Sequence, residues 1–274
     1  MWALEHSWAP RRDPVLADTP LALIATLGGI WLAAAWLAAG GWVPHALTRA
    51  VALAVVHGGL LAVALAWSRA DSGVPLPRGA VEIAILLIGV GAMATALDSR
   101  GAFLLAGTPA WLAILASRGA LTALGLHPRI PGRPALVGAL VGALLGGHLL
   151  FSASQTLGYP LRREGWITLF VLWAYDLGAN VISAECFFRG ALFNRLQRRW
   201  SLGPAAAVAT ACALVRYLGD PLLPGEVEVM VGALFYVTML GLVNCWLFWW
   251  SGSLVPGLLA AAVFFLVYRA LAIG

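Results

Sequence analysis

The chain has 274 residues, of which 61% are hydrophobic and only 11% charged, and its net charge is +5. A soluble domain carries roughly 25% charged residues, so this composition excludes an ordinary soluble globule and points to a polytopic membrane protein. All 17 basic residues are Arg. Most lie in short loops between apolar runs, the pattern of membrane orientation and not of a nucleic-acid groove.

Residues 1–18 form a polar tail with Arg11 and Arg12. Apolar runs follow at 21–39, 50–67, 79–97, 102–117, 135–153, 166–188, 204–218, 229–250 and 253–272. A helical crossing takes about 20 residues, so 102–117 and 204–218 are short enough to be re-entrant or half-spans. The expected fold is an all-α transmembrane bundle of about eight spans. The loop 127–134, with Pro128, Pro131 and Pro134, breaks the helical pattern. It divides N-terminal transmembrane helices (19–134) from a C-terminal core (135–274).

Placing the N-terminus in the cytoplasm puts ten Arg on that side: Arg11, Arg12, Arg69, Arg78, Arg118, Arg129, Arg133, Arg195, Arg198 and Arg199. Five fall on the other side: Arg49, Arg100, Arg162, Arg163 and Arg269. The positive-inside rule favours this orientation. Trp42, Trp67, Trp166, Trp200, Trp249 and Trp250 lie near the ends of the runs, as in an interfacial belt. Gly138 and Gly142, followed by Gly146 and Gly147, allow close helix packing. Cys186, Cys212 and Cys245 sit in apolar segments without a CxxC pair. They read as small buried hydrophobes, not as a disulfide or metal site.

Ionisable groups inside a span are costly and are usually functional or paired. Five stand out: Glu82, Asp176, Glu185, Arg189 and Arg216. Glu82 is near a span end and can reach the interface. At 100° per residue, Asp176, Asn180 and Ser183 form one stripe, with Glu185 and Arg189 on the opposite face. A helix with two polar faces must be central or line a water-filled cavity. Glu185 and Arg189 can meet as an i,i+4 pair, which reads equally as a clamp holding the bundle or as part of an active site. Arg216, beside Tyr217 at the end of a short run, either snorkels to the interface or pairs with Glu185 or Asp176. Asn244 can cross-link helices by hydrogen bonds, and Glu226 and Glu228 read as a solvated face.

The run Ser183-Ala-Glu-Cys-Phe-Phe-Arg-Gly-Ala-Leu-Phe-Asn-Arg-Leu resembles the first motif, Glu-Glu-x-x-x-Arg, of the CPBP family (CAAX protease and bacteriocin-processing). These are intramembrane endopeptidases, among them the type II CAAX prenyl endopeptidases. The segment from Leu240 through Gly252-Ser-Leu-Val-Pro256 is similar to the family's approach to its last motif. The resemblance covers about 166–270 and implies a CPBP-type intramembrane protease core in a bacterial inner (plasma) membrane, with no metal or other cofactor implied by this sequence's ligand set.

On that resemblance the motif's second Glu is Glu185 and its Arg is Arg189, while the first Glu is replaced by Ala184. The His of the second motif falls on Arg216. The His and Asn of the third fall on Ala261 and Phe265. No register restores them, because 149–274 contains no His. In the family the first Glu is taken to activate water; alanine has no proton-accepting group. The resemblance therefore implies a degenerate member, Glu185 and Arg189 being remnants, that serves as a non-catalytic partner in membrane-protein processing or sorting. Its expected partners are the lipid bilayer and either a membrane-anchored client peptide or an active protease paralogue, with no nucleic acid. Two alternatives stay open. One is an active divergent protease using Glu185 with Asp176, Asn180 or Tyr217. The other is a small transporter or structural bundle.

Overall fold

The computed structural model describes residues 13–97, 101–162, 165–219 and 227–271. Glu226 lies outside them, as does the side chain of Glu228, and so do Arg11, Arg12, Arg100 and Arg163. Nine helices occur among the described residues: α1 (Leu21–Ala39), α2 (His45–Ser72), α3 (Ala80–Leu97), α4 (Ala102–Ser117), α5 (Gly132–Thr156), α6 (Trp166–Gln197), α7 (Leu202–Leu218), α8 (Val227–Ser251) and α9 (Val255–Tyr268). Six are long and apolar enough to cross a bilayer; α4, α7 and α9 are shorter apolar helices. The apolar runs thus become helices, and the chain is an all-α membrane bundle.

Punctuation in the sequence sets the boundaries. Pro20, Pro44 and Pro131 immediately precede α1, α2 and α5, and Pro256 lies in the first turn of α9; each exploits a position where the missing N–H is harmless. Gly73 ends α2 with a φ of 66°, the left-handed cap that glycine adopts without strain.

The bundle is built around α6. From Ala174 to Leu196 nearly every residue is buried, as two polar faces require. α2 packs along it, and the two share one hydrophobic core containing Leu61, Leu65, Ile182, Phe188 and Phe193. α5 and α9 form a second close pair, with the glycine stripe at their seam. A Cβ on Gly138 or Gly142 would overlap the backbone carbonyls of Pro256 and Ala260. One on Gly146 would sit 2.9 Å from Val267 Cβ.

Three loop or belt expectations need correction. Arg195, read above as part of a basic loop, is completely buried. Its Nε and Nη2 donate to Asp71 at 3.0 and 2.8 Å, and its Nη1 donates to the carbonyls of Val15 and Ala17 at 3.0 and 2.7 Å. Its guanidinium also lies over Trp67, 4.3 Å from the ring centroid, so Trp67 is core and not interfacial belt. A guanidinium offers five donors in a plane, enough to tie the end of α6, the end of α2 and the segment before α1 at one point. Arg269 is likewise drawn into the core, as described below. Of the three free cysteines, Cys186 and Cys245 are buried but Cys212 is exposed. Glu82 is exposed in the first turn of α3.

The seam between α5 and α9 gives a direct test. Gly142→Leu forces side-chain atoms into a backbone carbonyl and should lower unfolding free energy in detergent by about 1–3 kcal/mol. Gly147→Leu, where nothing lies within 4 Å of an added Cβ, should leave it unchanged.

Candidate functional site

α6 is not a regular helix where its polar residues fall. Leu177–Ser183 and Cys186–Phe193 are π-helical. The i→i+5 bonding of such stretches widens the turn, and they concentrate at functional sites. A uniform 100° step therefore fails here. Asn180, predicted to face away from Glu185, lines the same small cavity as Glu185 and Arg189.

That cavity holds about 30 Å³ and is bordered by Ala184, Ala213, Arg216, Tyr217, Gly241 and Phe265 as well. It has room for one or two waters, not for a peptide. Ala184, Arg216 and Phe265, the positions to which the motif resemblance assigned a lost Glu, His and Asn, converge on this one space; Ala261 is buried but does not border it. Glu185 Oε1 accepts from Arg189 Nη1 at 3.2 Å, with both side chains almost fully buried. The other carboxylate oxygen has no hydrogen bond of ordinary geometry and lies toward Asn244 and Gly257.

Beside this pair runs a polar chain that links α2, α6, α7 and the end of α9. Arg269, just past α9, donates to both oxygens of Asp176 at 2.5 and 2.9 Å. Asn180 donates to Asp176 at 2.7 Å and accepts from Arg216 Nη1 at 2.6 Å. Arg216 Nη2 lies 3.0 Å from the ring nitrogens of His57. Since a guanidinium can only donate, the imidazole accepts there. Tyr175 Oη is 3.3 Å from His57 Nε2, and Ser183 donates to the His57 carbonyl at 2.7 Å.

The expectations for individual residues fare differently. Glu185, Arg189 and Arg216 are brought to one cavity. Arg216 points inward, to Asn180 and His57, and does not snorkel. Asp176 is committed to Arg269 and Asn180 and does not face the cavity. His57 and Arg269 are participants that the sequence reading missed. His57 carried a usable signal, since an ionisable residue 12 positions inside a 28-residue apolar helix meets the same intramembrane-charge criterion as Asp176. Arg269 carried none, because it lies at the edge of its run. Among the described residues no three His, Cys, Asp or Glu side chains gather as metal ligands.

Residues 166–267 match the family model described as type II CAAX prenyl endopeptidase Rce1-like. That stretch of the chain is similar to this family. The match spans α6 to nearly the end of α9, the block that carries both the ion pair and the polar chain. No curated protein and no solved structure matches the chain.

The Asp176–Arg269 contact can be probed by breaking it from one side. Arg269→Leu leaves the carboxylate of a completely buried Asp176 without its cation and should cost about 3–5 kcal/mol of unfolding free energy. Adding Asp176→Leu should recover most of that loss.

Proposed function

We propose that this Rce1-like protein does not hydrolyse peptide bonds and acts as a non-catalytic partner in processing or sorting membrane proteins. The observation that carries the reading is Ala184. It borders the cavity at the position where the resembled motif has its water-activating Glu, and a methyl group cannot take a proton from water. Two further features support it. Arg216 and Phe265 stand at the same cavity in place of His and Asn, and Arg216 is tied to Asn180 and His57. Glu185 faces Arg189 at 3.2 Å, which commits one of its carboxylate oxygens to the ion pair. A client segment would have to dock outside the 30 Å³ cavity, on the lipid-facing surfaces of the bundle. We place the protein in a bacterial inner membrane with the N-terminus cytoplasmic. Setting aside the buried Arg195 and the paired Arg269, the Arg distribution still favours that side by nine to four.

One observation favours a second reading, an active divergent protease. Glu185 Oε2 is buried without a hydrogen bond of its own in a residue bordering a water-sized cavity, so it could act as base. The two readings separate in one assay. Purified protein in nanodiscs, incubated with a membrane-anchored reporter peptide, should give no cleavage above that of Glu185→Gln. Cleavage by the unaltered protein, abolished in Glu185→Gln, would establish the second reading.

A further inference from the structure

The surroundings of the Glu185–Arg189 pair contain more unanswered polarity than any other part of the described structure. Five buried atoms there lack a hydrogen bond of ordinary geometry: Glu185 Oε2, Arg189 Nε, Thr210 Oγ1, and both Oδ1 and Nδ2 of Asn244; Asn244 lies toward Glu185, and the Cys245 thiol lies beside Thr210 and Arg189. These five atoms belong to four side chains on α6, α7 and α8, each no more than 4% exposed. Two glycines let these side chains pack against backbone. A Cβ on Gly241 would meet the Arg189 guanidinium and would lie 3.2 Å from Thr210 Oγ1. One on Gly257 would lie 3.4 Å from Asn244 Cγ and 3.6 Å from Glu185 Oε2.

The demands of these atoms identify what answers them. Glu185 Oε2 and Asn244 Oδ1 need donors, Arg189 Nε and Asn244 Nδ2 need acceptors, and Thr210 can take either role. A metal cation would serve only the oxygens, and an anion only the nitrogens. Water both donates and accepts, and a buried water typically makes about three hydrogen bonds to otherwise unsatisfied groups. The neighbouring cavity, bordered by Glu185, Arg189 and Gly241, is large enough for one or two.

We propose that Glu185, Arg189, Thr210 and Asn244 form a built internal hydration site, in which one or two ordered waters bridge the ion pair of α6 to α7 and α8. Gly241 makes room for the Arg189 guanidinium beside Thr210. The waters complete the ion pair's coordination within the bundle and join three helices through groups that make no hydrogen bond of ordinary geometry with one another. The site stands whether or not the chain hydrolyses a client.

Two measurements on the full chain test it. A high-resolution experimental structure should show solvent density within hydrogen-bond distance of at least two of these four side chains. Thr210→Val, which keeps side-chain shape but deletes the hydroxyl, should then lower the melting temperature by about 2–4 °C, because it removes a water ligand. A dry nest would overturn the proposal. So would a Thr210→Val protein that melts at an equal or higher temperature, since removing a truly unsatisfied buried hydroxyl relieves a penalty.

Discussion

A charge in the middle of a bilayer is stable only against an opposite charge or a full set of hydrogen bonds, and α6 carries four such charges. Asp176, Glu185, Arg189 and Arg195 are all buried on this single helix. Each pairing takes a fixed position in space. Glu185 and Arg189 answer one another along the helix. Asp176 fixes the end of α9 through Arg269. Arg195 fixes the end of α2 through Asp71 and draws in the chain before α1. The helix is central because its charges leave it no other place. The glycine seam between α5 and α9 then closes the bundle by backbone contact, where lipid offers no hydrophobic drive for association.

This ordering explains what could be read from the sequence and what could not. Runs of apolar residues with proline and glycine at their ends are local signals, and all nine became helices. The central position of α6 also followed, because polar residues on two faces forbid a lipid-facing one. The π-helical stretches did not follow. They depend on tertiary packing, and they moved Asn180 to the cavity shared with Glu185. Arg195 and Arg269 misled for a related reason. Each sits at the end of an apolar run, where snorkelling and burial are equally compatible with sequence. Only their partners, 124 and 93 residues away, decide between them. His57 was legible by its depth in α2, but its link to Arg216 crosses 159 residues and leaves no local trace.

The candidate site has positions that match the resembled motif and positions that differ from it. Ala184, Arg216 and Phe265, three of the positions the resemblance picks out, border one cavity with Glu185 and Arg189, and Ala261 does not. At them a methyl group, a guanidinium and a phenyl ring surround a space for water. Glu185 and Arg189 are bound up in the same electrostatic demands that organise the rest of α6. An ion pair of this kind is held for structural reasons, because removing one partner strands the other in the membrane interior.

The most direct measurement is the coupling free energy between Glu185 and Arg189, from a double-mutant cycle of Glu185→Gln, Arg189→Met and the two combined, followed by unfolding in bicelles. If the pair is a structural element of the bundle, each single change is strongly destabilising and the double change costs less than their sum, with a coupling of about 1–3 kcal/mol. Additive losses, with a coupling near zero, would contradict the account and return Glu185 to consideration as a chemically poised carboxylate.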